Sequence, residues 1–225
     1  MKSKRAITAA IILVVGLAII AGIGMFRDFD AQGYVHGVLD LRFRGEADEY
    51  MAFTDKYTEK ELYQNYEAGM VSFVENNISN NIEMSDEMKK QYQDLCKEIF
   101  AAMKYEVQPA EKISRKEYHV TVTYQPVDVF SRFIDAASKE QERLWTKVDK
   151  SEYSGTDEEI IKQMQQEYIA NAYEHLKTAY SQMKYGQEAQ ITFIVKKNDQ
   201  GIFVIDQAQI DELFVKIMGL DKIQD

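Results

Sequence analysis

Apolar residues follow three different spacings along this chain, and the changes of spacing divide it into segments. From Ala6 to Phe26 the run is unbroken, rich in isoleucine, valine and leucine and free of charge. At about 1.5 Å per residue a helix of this length reaches roughly 30 Å, the depth of a bilayer's hydrocarbon core. Lys2, Lys4 and Arg5 precede it, and Arg27, Asp28 and Asp30 follow. These flanks hold the N-terminus in the cytoplasm and direct the rest of the chain outside. The expectation is a cytoplasmic stub (1–5), a single-pass transmembrane signal anchor (6–26) in the cell membrane and an extracytoplasmic domain. The alternative is a secretory signal that is cleaved, leaving the domain secreted. Gly22-Ile23-Gly24 is its nearest approach to a cleavage site, and no Ala-x-Ala follows the apolar run.

Beyond residue 30 the spacing becomes helical. Tyr34, Val35, Val38, Leu39 and Leu41 predict an amphipathic helix near 31–44, ending around Gly45. Thr58-Glu59-Lys60-Glu61 is a capping box, in which hydroxyl and carboxylate satisfy free backbone donors. The stripe it opens is Leu62, Tyr66, Met70, Phe73, Val74 and Ile78. A third helix runs from Ser85 to about Met103, with Asp86 and Glu87 at the favourable end of its dipole.

The period then drops to two. Tyr105 to Val107 and Tyr118 to Tyr124 alternate and are rich in β-branched and aromatic residues, so they read as strands, closed by Pro126. Helical spacing returns with Phe130, Phe133, Ile134, Ala137, Leu144 and Trp145 on one side. After a break at Ser154-Gly155, a second capping box at Thr156 to Glu159 opens a long helix marked by Ile161, Met164, Tyr168, Ala172, Leu176, Ala179 and Met183. Ala189 to Val195, the turn Asn198-Asp199-Gln200-Gly201 and Ile202 to Ile205 form a hairpin. Asp206 caps a last helix with Ile210, Leu213, Phe214 and Ile217 inward, and Gly219 ends it. Helices around a short antiparallel sheet make an α+β domain over 31–218. Because the helices-then-hairpin order occurs twice, halves at 31–125 and 127–218 are an alternative description.

Composition narrows the partners. The net charge is −10, but the first 26 residues carry +3, which leaves −13 on residues 27–225. Such a surface repels phosphate backbones and anionic headgroups, so nucleic acid is not an expected partner. Cys96 is the single cysteine, which excludes an intramolecular disulfide. It adjoins the stripe Met88, Tyr92, Leu95, Ile99 and Met103, where it reads as a small buried hydrophobe and not as a reactive thiol.

Two segments resemble a known family. Ala31-Gln32-Gly33-Tyr34-Val35-His36-Gly37-Val38-Leu39-Asp40, continuing into Arg44-Gly45-Glu46, resembles the opening helix of uncharacterised exported domains of Gram-positive bacteria, a membrane-anchored or lipoprotein group classed as NTF2-like or cystatin-like. Gly201-Ile202-Phe203-Val204-Ile205-Asp206 followed by Ile210 to Met218 is similar to their closing strand and helix, with Phe203 where such domains often carry tryptophan. The resemblance covers 31–218 in layout and is specific at the two ends. It implies a curved antiparallel sheet packed on helices and brings no catalytic residues with it. The chain departs from the lipoprotein members in having no anchoring cysteine, and its 157–184 helix exceeds what a minimal domain of this kind needs.

Chemistry is sparse. His36, His119 and His175 fall on a helix, a strand and a helix, without metal-ligand spacing. His36 and Asp40 stand one turn apart, which suits a simple i,i+4 contact. Glu158-Glu159 and Asp211-Glu212 read as charges at helix starts. No calcium loop, phosphate-binding glycine loop or nucleophile elbow occurs. Tyr168, Tyr173 and Tyr180 on the long helix and Tyr118 and Tyr124 on the strand read as rim packing, with pocket lining as the alternative. No catalytic, cofactor-binding or metal residue is therefore assigned. The expected function is a non-enzymatic, membrane-anchored module of the bacterial cell envelope that binds an envelope protein or a small ligand. The alternative is an enzyme whose site is assembled from scattered tyrosine, histidine and carboxylate groups in a concave sheet pocket.

Overall fold

The computed structural model describes residues 28–79 and 82–222. The stub and anchor expected at 1–26 lie outside the described residues, and among those described no helix is long and apolar enough to cross a membrane. The domain itself is α+β, and the described residues form seven α-helices and five strands in the order α1 (Ala31–Arg44), α2 (Asp48–Met51), α3 (Glu59–Phe73), α4 (Asp86–Ala101), β1 (Lys104–Val107), β2 (Glu111–Ser114), β3 (Glu117–Gln125), α5 (Val129–Asp149), α6 (Asp157–Ser181), β4 (Ala189–Lys197), β5 (Phe203–Ile205) and α7 (Gln207–Ile217).

Local chemistry sets most of the boundaries. Asp30 caps α1, and Gly45 ends it in the left-handed region at φ 72°, a conformation that costs glycine nothing and other residues 1–2 kcal/mol or so. Both capping boxes form. Thr58 and Thr156 each accept from the backbone three residues on, while Glu61 and Glu159 reach back to the cap backbone. Asp206 caps α7 by accepting from the Ala208 N–H. Helix α3 does not stop at Phe73 but widens into a π-helical turn, Val74–Ile78, closed by Ser79 N–H donating to Val74 C=O at 2.9 Å.

All five strands form one antiparallel sheet in the order β1-β3-β4-β5, with β2 also on β3. Strands β1 and β2 share one edge of β3 in succession, β1 along its second half and β2 along its first. Pro109 lies between them and has no N–H for the ladder, although Gln108 still donates to Thr121 at 2.8 Å. Strand β2 carries no sequence signal, since all four of its residues are exposed and it shows no apolar alternation. Strand β4 pairs with β3 from Glu117↔Lys196 to Tyr124↔Ala189. That register puts Val120 against Phe193 and Tyr118 against Val195 on the inward face, each at most 5% exposed.

The helices cover this face. A single apolar core joins α1, α3, α4, the sheet and α7. Its centre is aromatic: Phe214 stacks on Phe43 at 5.6 Å and meets Phe100 and Phe73 edge-on. At the sheet's far edge Phe203 stacks on Phe29 at 4.2 Å. Cys96 is fully buried here, and burial pushes its thiol pKa up to about 12. Cys96 is thus a small buried hydrophobe, as its place beside the stripe implied.

Helices α5 and α6 depart from expectation. They form an antiparallel pair whose distal part carries no buried residue between Leu144 and Ile169. Trp145 and Ile161, expected on inward faces, are 50% and 48% exposed. Their helical spacing is regular, but this part of the pair extends past the core, and among the described residues no third layer covers it.

Candidate binding site

Among the described residues a cavity lies between the π-helical turn and the α5–α6 pair, away from the sheet. The sheet's inward face is filled, with Val120, Val122, Phe193 and Val195 fully buried. The cavity encloses about 150 Å³. Phe73, Ile78 and Asn77 of the π-turn region form one wall, Phe133, Ala137 and Leu144 of α5 a second, and Met164 and Tyr168 of α6 a third.

The π-turn shapes the first wall. One extra residue per turn breaks the α-helical hydrogen-bond pattern locally, and such turns are frequent at functional sites. Asn77 Nδ2 donates to Phe73 C=O at 3.1 Å, whereas Asn77 Oδ1 is buried without a hydrogen-bond partner among the described residues. A lone acceptor beside apolar side chains is costly unless something meets it. The cavity thus offers an apolar volume with polar side chains, Asn76, Ser138, Gln141 and Gln165, in its lining.

Trp145 and Ile161 extend the apolar surface beyond the cavity. Ser138 and Gln141 line it from α5, and Trp145 is the next member of that row at i+4. Gln165 and Tyr168 line it from α6, with Ile161 one turn earlier.

Below the exposed tip, a charged network locks the two helices. Glu140, only 7% exposed, accepts from Arg143 Nε and Nη2 at 2.8 and 2.7 Å and from Asn171 at 2.7 Å. Arg143 first, then burial and Asn171, set its pKa, which lies below the usual carboxyl range. Glu167 accepts from Arg143, Lys147 and Tyr153 at 2.5–2.8 Å, and these bonds hold its carboxyl at about 2.

The groups singled out from the sequence do not converge on the sheet. Tyr118 and Tyr124 are buried, Tyr173 meets Tyr92 edge-on at 5.3 Å, and Tyr180 donates to Glu98 C=O at 3.4 Å. Tyr168 alone of this set reaches the cavity. His119 lies on the outer face of β3 beside Glu117 at 2.9 Å, and His175 stands 3.9 Å from Glu140. His36 makes the expected contact with Asp40, Nδ1 to Oδ2 at 3.3 Å, and also lies 2.5 Å from Glu49 Oε2. Glu49 escaped the sequence reading because four-residue α2 has no legible periodicity. The one available signal was Gly37: a Cβ there would sit 2.7 Å from the Tyr50 backbone nitrogen. The bare glycine lets α2 lie directly on α1.

The molecule is an α+β domain whose candidate site is largely apolar and lies on its helical side. No protein-family model and no curated protein matches the chain. Among solved structures it is similar to ycdA of Bacillus subtilis, at 17% identity and a TM-score of 0.45, over 83% of this chain and 55% of that one. The chain thus spans about half the length of that neighbour. A likeness at this level carries no argument about function.

Proposed function

We propose that this is a protein-interaction domain of the cell envelope, held to the membrane by residues 6–26 and taking up an apolar anchor side chain of a partner protein between α5, α6 and the π-turn. The observation that carries the reading is the cavity's size. Pockets for whole small molecules usually enclose some 300–1,000 Å³, and about 150 Å³ suits one aliphatic or aromatic side chain. Exposed Trp145 and Ile161 beside it are the residue types that dominate or border interface hot spots. The −13 charge on residues 27–225 favours a partner with basic residues around its anchor. The sheet-and-helix layering is in keeping with an NTF2-like or cystatin-like domain, and the basic start and uncharged run support an extracytoplasmic location.

Trp145 is the single tryptophan and serves as reporter. The full chain in mild detergent is titrated with an amphipathic leucine–lysine helical peptide and with a leucine–glutamate peptide of equal length. The basic peptide should shift Trp145 emission to the blue, and Ser138→Phe, which plugs the cavity from an exposed position, should abolish the shift. No shift with either peptide, or one indifferent to the plug, overturns the reading. Topology is tested separately: protease added to wall-stripped cells should digest the domain, and full protection would place it inside.

A further inference from the structure

A second cluster, on the α1–α2 side of the molecule, is independent of the apolar cavity. His36 and Asp40 share one edge of α1, and α2 brings Glu49 against them, so one nitrogen and two carboxylate oxygens lie within 4.8 Å of one another. Three features separate this group from an ordinary surface ion pair.

The first is the state of Asp40. It is 7% exposed, and its two oxygens have different tasks. Oδ1 accepts from Arg44 Nη1 at 2.7 Å and from the Tyr105 hydroxyl at 2.5 Å, while Oδ2 is turned to His36. Tyr105 is itself half-buried, with its hydroxyl directed at Asp40. A carboxylate fixed through one oxygen and presenting the other is how outer hydrogen bonds orient a metal ligand.

The second is spacing. Two donor atoms each about 2.0–2.2 Å from one ion stand roughly 2.9–3.5 Å apart. His36 Nδ1 and Asp40 Oδ2, at 3.3 Å, already meet that condition. Glu49 Oε2, at 2.5 Å from the same nitrogen, must withdraw slightly to admit an ion. Its side chain is 53% exposed and free to do so.

The third is that the third ligand's position is built into the backbone. Gly37 sits one residue after His36 and admits the α2 backbone at a distance no Cβ would tolerate. The approach of Glu49 therefore does not depend on a flexible loop.

We infer that His36 Nδ1, Asp40 Oδ2 and Glu49 Oε2 form a binding site for a divalent first-row transition-metal ion such as zinc, with water completing the coordination. The donor set argues for this class. Calcium takes six to eight oxygens, and magnesium keeps most of its waters; a nitrogen with two carboxylates suits zinc, cobalt or manganese. Arg44 offsets part of the carboxylate charge, so the site would bind with moderate affinity. The bound ion would clasp α2 onto α1 and raise stability by mass action.

The test uses the full chain in mild detergent, titrated with Co²⁺ and followed by the visible absorption of the bound ion, with Zn²⁺ as competitor. One ion per chain should bind. His36→Gln and Glu49→Gln, both changes of side chains partly in solvent, should each weaken binding at least tenfold while leaving the apo melting temperature nearly unchanged. Tyr105→Phe, which touches no ligand atom, should weaken it by about tenfold, in the range for outer-shell partners. His119→Gln and His175→Gln should change nothing. Absence of saturable one-to-one binding, or binding that survives His36→Gln or is lost equally in His175→Gln, overturns the assignment.

Discussion

Helices α1 and α6 handle burial in opposite ways. Ten of the 14 residues of α1 are buried, against four of the 25 in α6, all of them from Ile169 onward. The first is core on nearly every side; the second is core for half its length and then extends on one partner helix. What holds them differs accordingly. Around α1 aromatic and apolar contacts surround two buried charges, Asp40 and Arg42, whereas the outer reach of α5 and α6 is held by Arg143, Lys147 and Tyr153 on Glu167. Apolar burial is worth roughly 25 cal/mol per Å² and surface ion pairs a few tenths of a kcal/mol. The body should carry the stability, and the arm should be free to serve binding.

The largest expected effect lies in the body. Phe214 is 1% exposed and touches three other rings. Phe214→Ala should cost roughly 3–5 kcal/mol, a large part of an ordinary domain's stability. Urea melts of the full chain measure it; a midpoint equal to wild type would mean that the ring cluster is not the core.

A smaller effect belongs to Glu167. Its carboxyl is depressed from 4.5 to about 2, so the folded state holds it ionised more firmly than the unfolded chain does. The stabilisation is fully present above the unfolded value and fades as the pH falls through 4.5 towards 2. At neutral pH Glu167→Gln should cost roughly 0.2–1 kcal/mol, and the gap to wild type should narrow in acid. A gap that stayed constant down to pH 2 would remove the ionised network from the account.

The smallest effect should come from Trp145→Ala, within about 0.5 kcal/mol of wild type because the ring is half exposed. The same change should abolish recognition of the basic peptide, read by calorimetry because the reporter is gone. A large loss of stability would show that Trp145 packs against something and is not a free surface.

Much of this architecture is legible because particular residues have one physical use. The Thr58 and Thr156 boxes, the Gly45 stop and the hairpin around Asn198 to Gly201 each follow from local hydrogen bonding, which needs no knowledge of the rest of the chain. The same logic fails where tertiary placement decides. Trp145 and Leu144 look alike in a helical pattern, yet one meets the core and the other meets solvent. Exposed β2 has no inward face to betray it. The cavity draws its walls from a helix pair and from a π-turn separated from it in sequence by α4 and three strands, and that π-turn leaves no mark in composition. Glu49 reaches His36 through an approach that only the bare backbone of Gly37 hints at.

The pairing of β3 with β4 has a consequence for how the chain comes to be folded. Partners in that ladder stand 65 residues apart at Tyr124↔Ala189 and 79 apart at Glu117↔Lys196. Strand β3 can acquire β1 and β2 at once, since they are its immediate predecessors, but its other edge must wait while all of α5 and α6 is made. Closing so long a loop is paid for before the pairing returns anything, which slows folding. Until residue 197 has emerged, a strand bearing Val120 and Val122 presents an open, apolar edge, the kind of template on which two unfinished chains join. The helical pair between the strands forms from local contacts and brings their ends together, so the part of the molecule least buried in the finished domain is the part that lets its sheet be completed.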